Sequence, residues 1–161
     1  MSIYQFLSSD TPLKAVKNRQ IELMSIQEAE HRGLTLPNWY HKDINIDRTD
    51  KIVLYAPDEE CLNEIEISED NNSAYAKQYS NKHYHSILQW RYTEKRLQQL
   101  KEYITEHLAT GDEVELWNVW LDADGSPTVK RRHIDSLTIS DIKETLEQDP
   151  NEAPLCLIVY K

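Results

Sequence analysis

Between residues 93 and 121 the spacing of apolar residues changes period, and this change constrains the fold more than any other feature of the chain. Leu97, Leu100, Ile104 and Leu108 recur at the interval of one helical face, while Glu94, Lys95, Gln98, Lys101, Glu102 and Glu106 make the other face polar. Thr93 suits the N-cap, and Gly111 suits a left-handed C-cap because it has no Cβ to clash. Beyond Thr110-Gly111-Asp112 the period falls to two. Glu113, Glu115, Trp117, Val119 and Leu121 then share one face, and Val114, Leu116, Asn118 and Trp120 the other. Both faces become apolar towards the end, which predicts a central strand covered on both sides. Asp122-Ala123-Asp124-Gly125 has the composition of a type I turn with a bulge. Residues 126–134 are therefore predicted to return as an antiparallel partner, setting Val129 opposite Val119 and Arg131 over the ring of Trp117.

The remaining segments read as material packed on this pair. Residues 3–7, 20–24, 51–56, 82–90 and 155–160 are β-prone, the last apolar throughout. Ser25 and Glu28 match a capping box for a short helix ending near Gly33. Thr138 offers a cap for a helix through Leu146, with Ile142 and Leu146 facing inward. Residues 34–51 form a long loop holding Trp39, Tyr40 and His41 among Asp and Asn residues. The order predicts a single α+β domain over residues 1–161. Its sheet is mostly antiparallel and twisted, with a long helix (about 93–109) and shorter helices packed on it.

Charge bounds the function. A net charge of −10 opposes binding to nucleic acid or to an acidic membrane, where affinity comes from neutralising phosphates; it suits an encounter with a basic protein. No apolar run approaches a membrane span, and residues 1–10 lack the basic region and cleavage pattern of a signal peptide, so the expected location is cytoplasmic. Two cysteines, Cys61 and Cys156, do not make a disulfide framework.

Three groups of residues are candidates for function. His83 and His85, two apart on a strand, would place two imidazoles on one face roughly 7 Å apart. That is two of the three or four ligands zinc needs, with His41, Asp43 and Asp47 available to complete the set. Lys130-Arg131-Arg132-His133 is the only basic run, and on a strand its charges divide between two faces. Four Trp and nine Tyr against one Phe favour partly wet surfaces. Trp39, Tyr40, His41, Arg131 and His133 are accordingly the expected partner or ligand surface. There is no Gly-rich phosphate loop, nucleophile elbow or Cys-x-x-Cys, so no cofactor is expected. Two readings follow: an acidic cytosolic interaction or regulatory protein that binds another protein, or a small-molecule-binding or metal-dependent enzyme using His83 and His85 beside the 34–51 loop.

Overall fold

A computed structural model describes residues 3–38, 40, 46–71, 73–120, 125–149 and 153–161. In chain order these form β1 (Ile3–Ser9), β2 (Glu22–Ser25), α1 (Ile26–His31), β3 (Lys51–Tyr55), β4 (Glu66–Glu69), β5 (Tyr84–Gln89), α2 (Glu94–His107), β6 (Glu113–Trp120), β7 (Thr128–His133), α3 (Ile139–Glu147) and β8 (Leu155–Tyr160). They fall into two compact units, residues 1–17 with 63–161, and residues 18–62.

The larger unit holds a six-stranded sheet in the order β4-β5-β1-β6-β8-β7. Every neighbouring pair is antiparallel except β7 and β8, which run parallel. This overturns the predicted hairpin. A strand has two hydrogen-bonding edges, and those of β6 are taken by β1 and β8, so Val119 lies opposite Tyr4 and Val129 opposite Cys156. Parallel pairing needs a crossover, and α3 supplies it between β7 and β8. The segment from Trp117 to Trp120 lies in the interior of the sheet, as its two apolar faces require.

Alternation along each strand divides the core in two. On one face Leu7, Leu116 and Leu157 are fully buried with Leu97, Leu100 and Ile104 of α2 and Ile142 of α3. On the other, Phe6, Trp117, Val119 and Cys156 pack with Ala76 and Tyr79. Helix starts follow local chemistry: Thr93 accepts the Arg96 N–H at 3.1 Å, and Thr138 and Asp141 form a reciprocal box. Gly111 differs from expectation, because its φ is not in the left-handed region. Its N–H donates to the His107 carbonyl at 2.9 Å, and a Cβ here would sit 3.1 Å from His107 Nε2. Close approach of backbone to an imidazole, not backbone conformation, is what suits glycine at this position.

The smaller unit is a two-stranded antiparallel ribbon, β2 with β3, and α1. The Ser25–Glu28 box caps α1, and Gly33 follows it at φ +74°. One side of the ribbon, Met24 and Val53, is buried with Ile26 and Ala29. No helix among the described residues is long and apolar enough to cross a membrane.

Candidate functional site

Register brings a serine and a histidine together at the end of β1. Ser8 pairs with His85 across β1 and β5, and Ser8 Oγ lies 2.8 Å from His85 Nδ1. Both are buried, Ser8 completely. Desolvation holds the imidazole below its ordinary pKa, so the ring is neutral at pH 7. The economical tautomer has the Ser8 hydroxyl donating to Nδ1 and the proton on Nε2. That Nε2 is buried and meets no well-formed hydrogen-bond partner; the Lys82 backbone bears on the ring without reaching hydrogen-bond geometry.

A cavity of about 350 Å³ opens beside this pair, lined in part by Pro12, Asp70, His83, Tyr84, His85 and Ser86. Asp70 accepts a short hydrogen bond from the Tyr4 hydroxyl, and its backbone N–H donates to the His85 carbonyl at 3.1 Å. Burial, reinforced by Asp70, pushes the Tyr4 hydroxyl well above the usual tyrosine range. Beneath lies an aromatic stack: Tyr4 on Phe6 at 4.8 Å between centroids, and Phe6 on Trp117 at 5.9 Å.

His83 and His85 both line this cavity, but only His85 lies in the strand. β5 begins at Tyr84, so His83 sits in the bend before it, with its side chain 80% exposed and Nδ1 2.9 Å from Asp10. Hydrogen bonds from Lys82 and His83 bring Asp10 down to about 2. Among the described residues, no three His, Cys, Asp or Glu are arranged to hold a metal ion. His41 and Asp43 lie outside the described residues, and Asp47 spends Oδ1 on Thr49.

A second serine–histidine pair lies on the opposite side of β1. Ser9 Oγ is 2.7 Å from His107 Nε2, 3.1 Å from the Glu113 carbonyl and 3.1 Å from the Thr11 N–H. With one proton to give, the Ser9 hydroxyl donates to the carbonyl and accepts from Thr11 and from a neutral His107. Neither pair is a nucleophile in waiting, because both Ser8 and Ser9 are fully buried. The sequence reading stopped the first strand at residue 7 and so missed Ser8 and Ser9. Phe6-Leu7-Ser8-Ser9 does not alternate, so the local sequence carries no signal for them, and their partners arrive 77 and 98 residues later.

The expected partner surface divides. Trp39 and His41 lie outside the described residues, and Tyr40 is half-buried against the core of the smaller unit. Arg131 does not lie over Trp117, since β7 does not border β6. Instead it sits over Tyr160, 5.2 Å from its centroid, and donates to Glu113 at 2.7 Å. Burial would raise the Glu113 pKa, but Lys82 and Arg131 outweigh it and hold the carboxyl below its usual range. His133 meets Tyr160 edge-on at 5.6 Å and accepts the Asp135 N–H. Lys130 and Arg132 turn the other way, to Asp141 of α3. Burial drives the Cys156 thiol far above its ordinary value, which removes it as a nucleophile.

The two histidines give a pH dependence. Desolvation lowers both pKa values below 6.5 in the fold, so the unfolded chain binds more protons than the native one once pH falls below that value. Stability is then complete above pH 6.5 and erodes as pH drops towards the folded values. Urea midpoints recorded from about pH 7.5 to about pH 5 are expected to fall steadily, and a His85→Gln/His107→Gln variant to show a flatter profile. Parallel profiles for the two proteins would mean that neither ring titrates differently on folding. No family model, curated protein or solved structure matches the chain.

Proposed function

We propose that this chain is an acidic cytoplasmic interaction protein that binds another protein, a basic one by preference, and not nucleic acid. In this reading the helices over one face of the large sheet serve as cover, and recognition belongs to the surfaces they leave open. The supporting observation is the outer side of the β2–β3 ribbon. Leu23 and Leu54 are directly opposite each other across the strands, Ile52 lies on the same side, and their exposures are 53%, 57% and 39%. The inner side of the same strands already fills the local core, so these three aliphatics contribute nothing to it. A cross-strand pair held in water is unfavourable for an isolated domain and useful for docking. The net charge of −10 supports a basic protein as the occupant, because complementary charge steers encounter while apolar contact retains it.

The test is affinity capture with tagged wild-type chain and with a Leu23→Lys/Leu54→Lys variant, washed at about 0.05 M and about 0.5 M salt. A basic protein held by the wild type at low salt, released at high salt and absent from the variant is the expected outcome. Recovery of nothing salt-sensitive, or equal recovery by the variant, overturns the reading.

A second reading is favoured by the 350 Å³ cavity: a small-molecule-binding or metal-dependent enzyme using His83 and His85. Elemental analysis of the purified protein checks its metal form. Near-stoichiometric zinc, nickel or iron, lost in a His83→Ala variant, is the result it requires.

A further inference from the structure

The larger unit has a second concavity, of about 490 Å³, at the end of the sheet where β1 begins and β6 and α3 finish. Its walls include Ile3, Trp90, Tyr92, Trp120, Glu147 and Asp149. Three features of this groove point to the same ligand chemistry.

The first is its aromatic surface. Trp90 and Trp120 are only half-buried, and Ile3 between them is 51% exposed. Indole faces attract cations through the ring quadrupole, most strongly the planar guanidinium, which also stacks. Tyr92 shows the principle at work: Lys143 Nζ lies 4.5 Å from its ring centroid. The second is charge. Glu147 and Asp149 line the groove beside Arg91, and Lys143, held on Tyr92 at its margin, lies within electrostatic reach of Glu147. Glu147 is fixed in place, since Trp90 Nε1–H donates to it at 2.6 Å, so a carboxylate stands at the edge of an indole. The third is the end of α3, where the helix dipole leaves partial negative charge. Asn118 and Gln5 bind the carbonyls of Thr145, Leu146 and Gln148 there, which holds the helix end against the groove.

We propose that this groove binds an arginine side chain presented by a basic segment of a partner protein. The guanidinium stacks on the indoles and meets the Glu147 carboxylate. The identity of the occupant as a protein rests on the function proposed above; the preference for a guanidinium rests on the groove alone.

The experiment uses purified full-length chain and a short peptide with one central arginine, against the same peptide with citrulline, which keeps shape and loses charge. Binding is read by calorimetry and by tryptophan fluorescence. The arginine peptide is expected to bind and to quench, and the citrulline peptide to bind at least about fivefold more weakly. Glu147→Gln preserves the acceptor for Trp90 and is expected to weaken the arginine peptide about threefold to fivefold without altering the citrulline peptide. Trp120→Leu, which leaves Trp90 in the groove, is expected to reduce quenching by the peptide and weaken its binding, and its fold is checked by circular dichroism. Equal affinity for the two peptides, or an unchanged affinity in Glu147→Gln, overturns the proposal. Failure here together with salt-sensitive capture of a basic protein by the β2–β3 ribbon removes the groove and leaves the interaction reading standing; peptide binding without such capture does the reverse.

Discussion

Replacing Asn118 with leucine is expected to lower the free energy of unfolding by about 3 kcal/mol, although the two side chains have the same branching and the same number of heavy atoms. Asn118 is completely buried in β6, and its Nδ2 lies 2.9 Å from the Thr145 carbonyl, 3.3 Å from Leu146 and 3.0 Å from Gln148. These belong to the last turn of α3 and its exit, whose carbonyls have no partner within the helix. An amide has two N–H groups, so the three contacts are shared, and Gln5 supports the set by donating to Leu146 at 3.0 Å and to Asn118 Oδ1 at 3.2 Å. Leucine leaves no void but takes the donor from the Thr145 and Gln148 carbonyls, at about 1 to 3 kcal/mol for each group left unpaired, while Gln5 keeps its bond to Leu146. Gln5→Ala, which removes one donor at a half-exposed position, is expected to cost about 1 kcal/mol. Urea unfolding at neutral pH measures both. A leucine variant within about 0.5 kcal/mol of wild type would mean that these carbonyls find solvent and that Asn118 is not what holds the helix end.

The local part of this arrangement was legible in the sequence. The caps at Ser25, Thr93 and Thr138 were readable because the residues that make them lie three apart, and the alternation around Trp117 correctly put Asn118 on the face with Val114 and Leu116. The mixture of strands and helices and the mostly antiparallel sheet followed from those periods. What failed was pairing across distance. Asp122-Ala123-Asp124-Gly125 carries the composition of a hairpin turn, yet pairing is decided by which edges are free, and both edges of β6 are filled by strands from opposite ends of the chain. The misplaced Arg131 followed from that error, since its neighbour became Tyr160 instead of Trp117. His83 and His85 show a different limit: a period of two places residues on one face only inside a strand, and the strand starts between them. Ser8 with His85, Ser9 with His107, and the groove at Trp90 and Trp120 are all products of register, which one sequence does not display.

Asp141 carries the other large effect, and pH distinguishes its causes. Its side chain is 6% exposed and receives four donors: Lys130 Nζ at 2.6 Å, Arg132 Nε at 3.0 Å, and the Thr138 N–H and hydroxyl at 3.0 and 2.7 Å. Burial alone would raise its pKa; the bonds from Lys130, Thr138 and Arg132 overcome that and hold the carboxyl well below the usual range. The residue therefore joins β7, at the margin of the sheet, to the helix that carries the chain over to β8. Truncating one partner of a buried ion pair costs 3 to 5 kcal/mol when the other charge is trapped, but here Lys130 and Arg132 are 32% and 38% exposed and reach water once released. Asp141→Ala is accordingly expected to cost about 3 kcal/mol at pH 7, with the lost capping box included. Asp141→Asn, which keeps an acceptor for Thr138 and loses the charge, is expected to cost about half as much. A carboxyl lowered in the fold stabilises above its unfolded value of 3.8, and that contribution disappears as pH falls through the folded value. The gap between wild type and Asp141→Asn should hold from about pH 7 to about pH 4 and narrow in urea titrations taken on to about 2.5, because the unfolded wild-type chain then takes up a proton that the folded carboxyl still refuses. A gap that stays constant would assign the loss to hydrogen-bond geometry at Thr138 and leave the pairs with Lys130 and Arg132 without net effect.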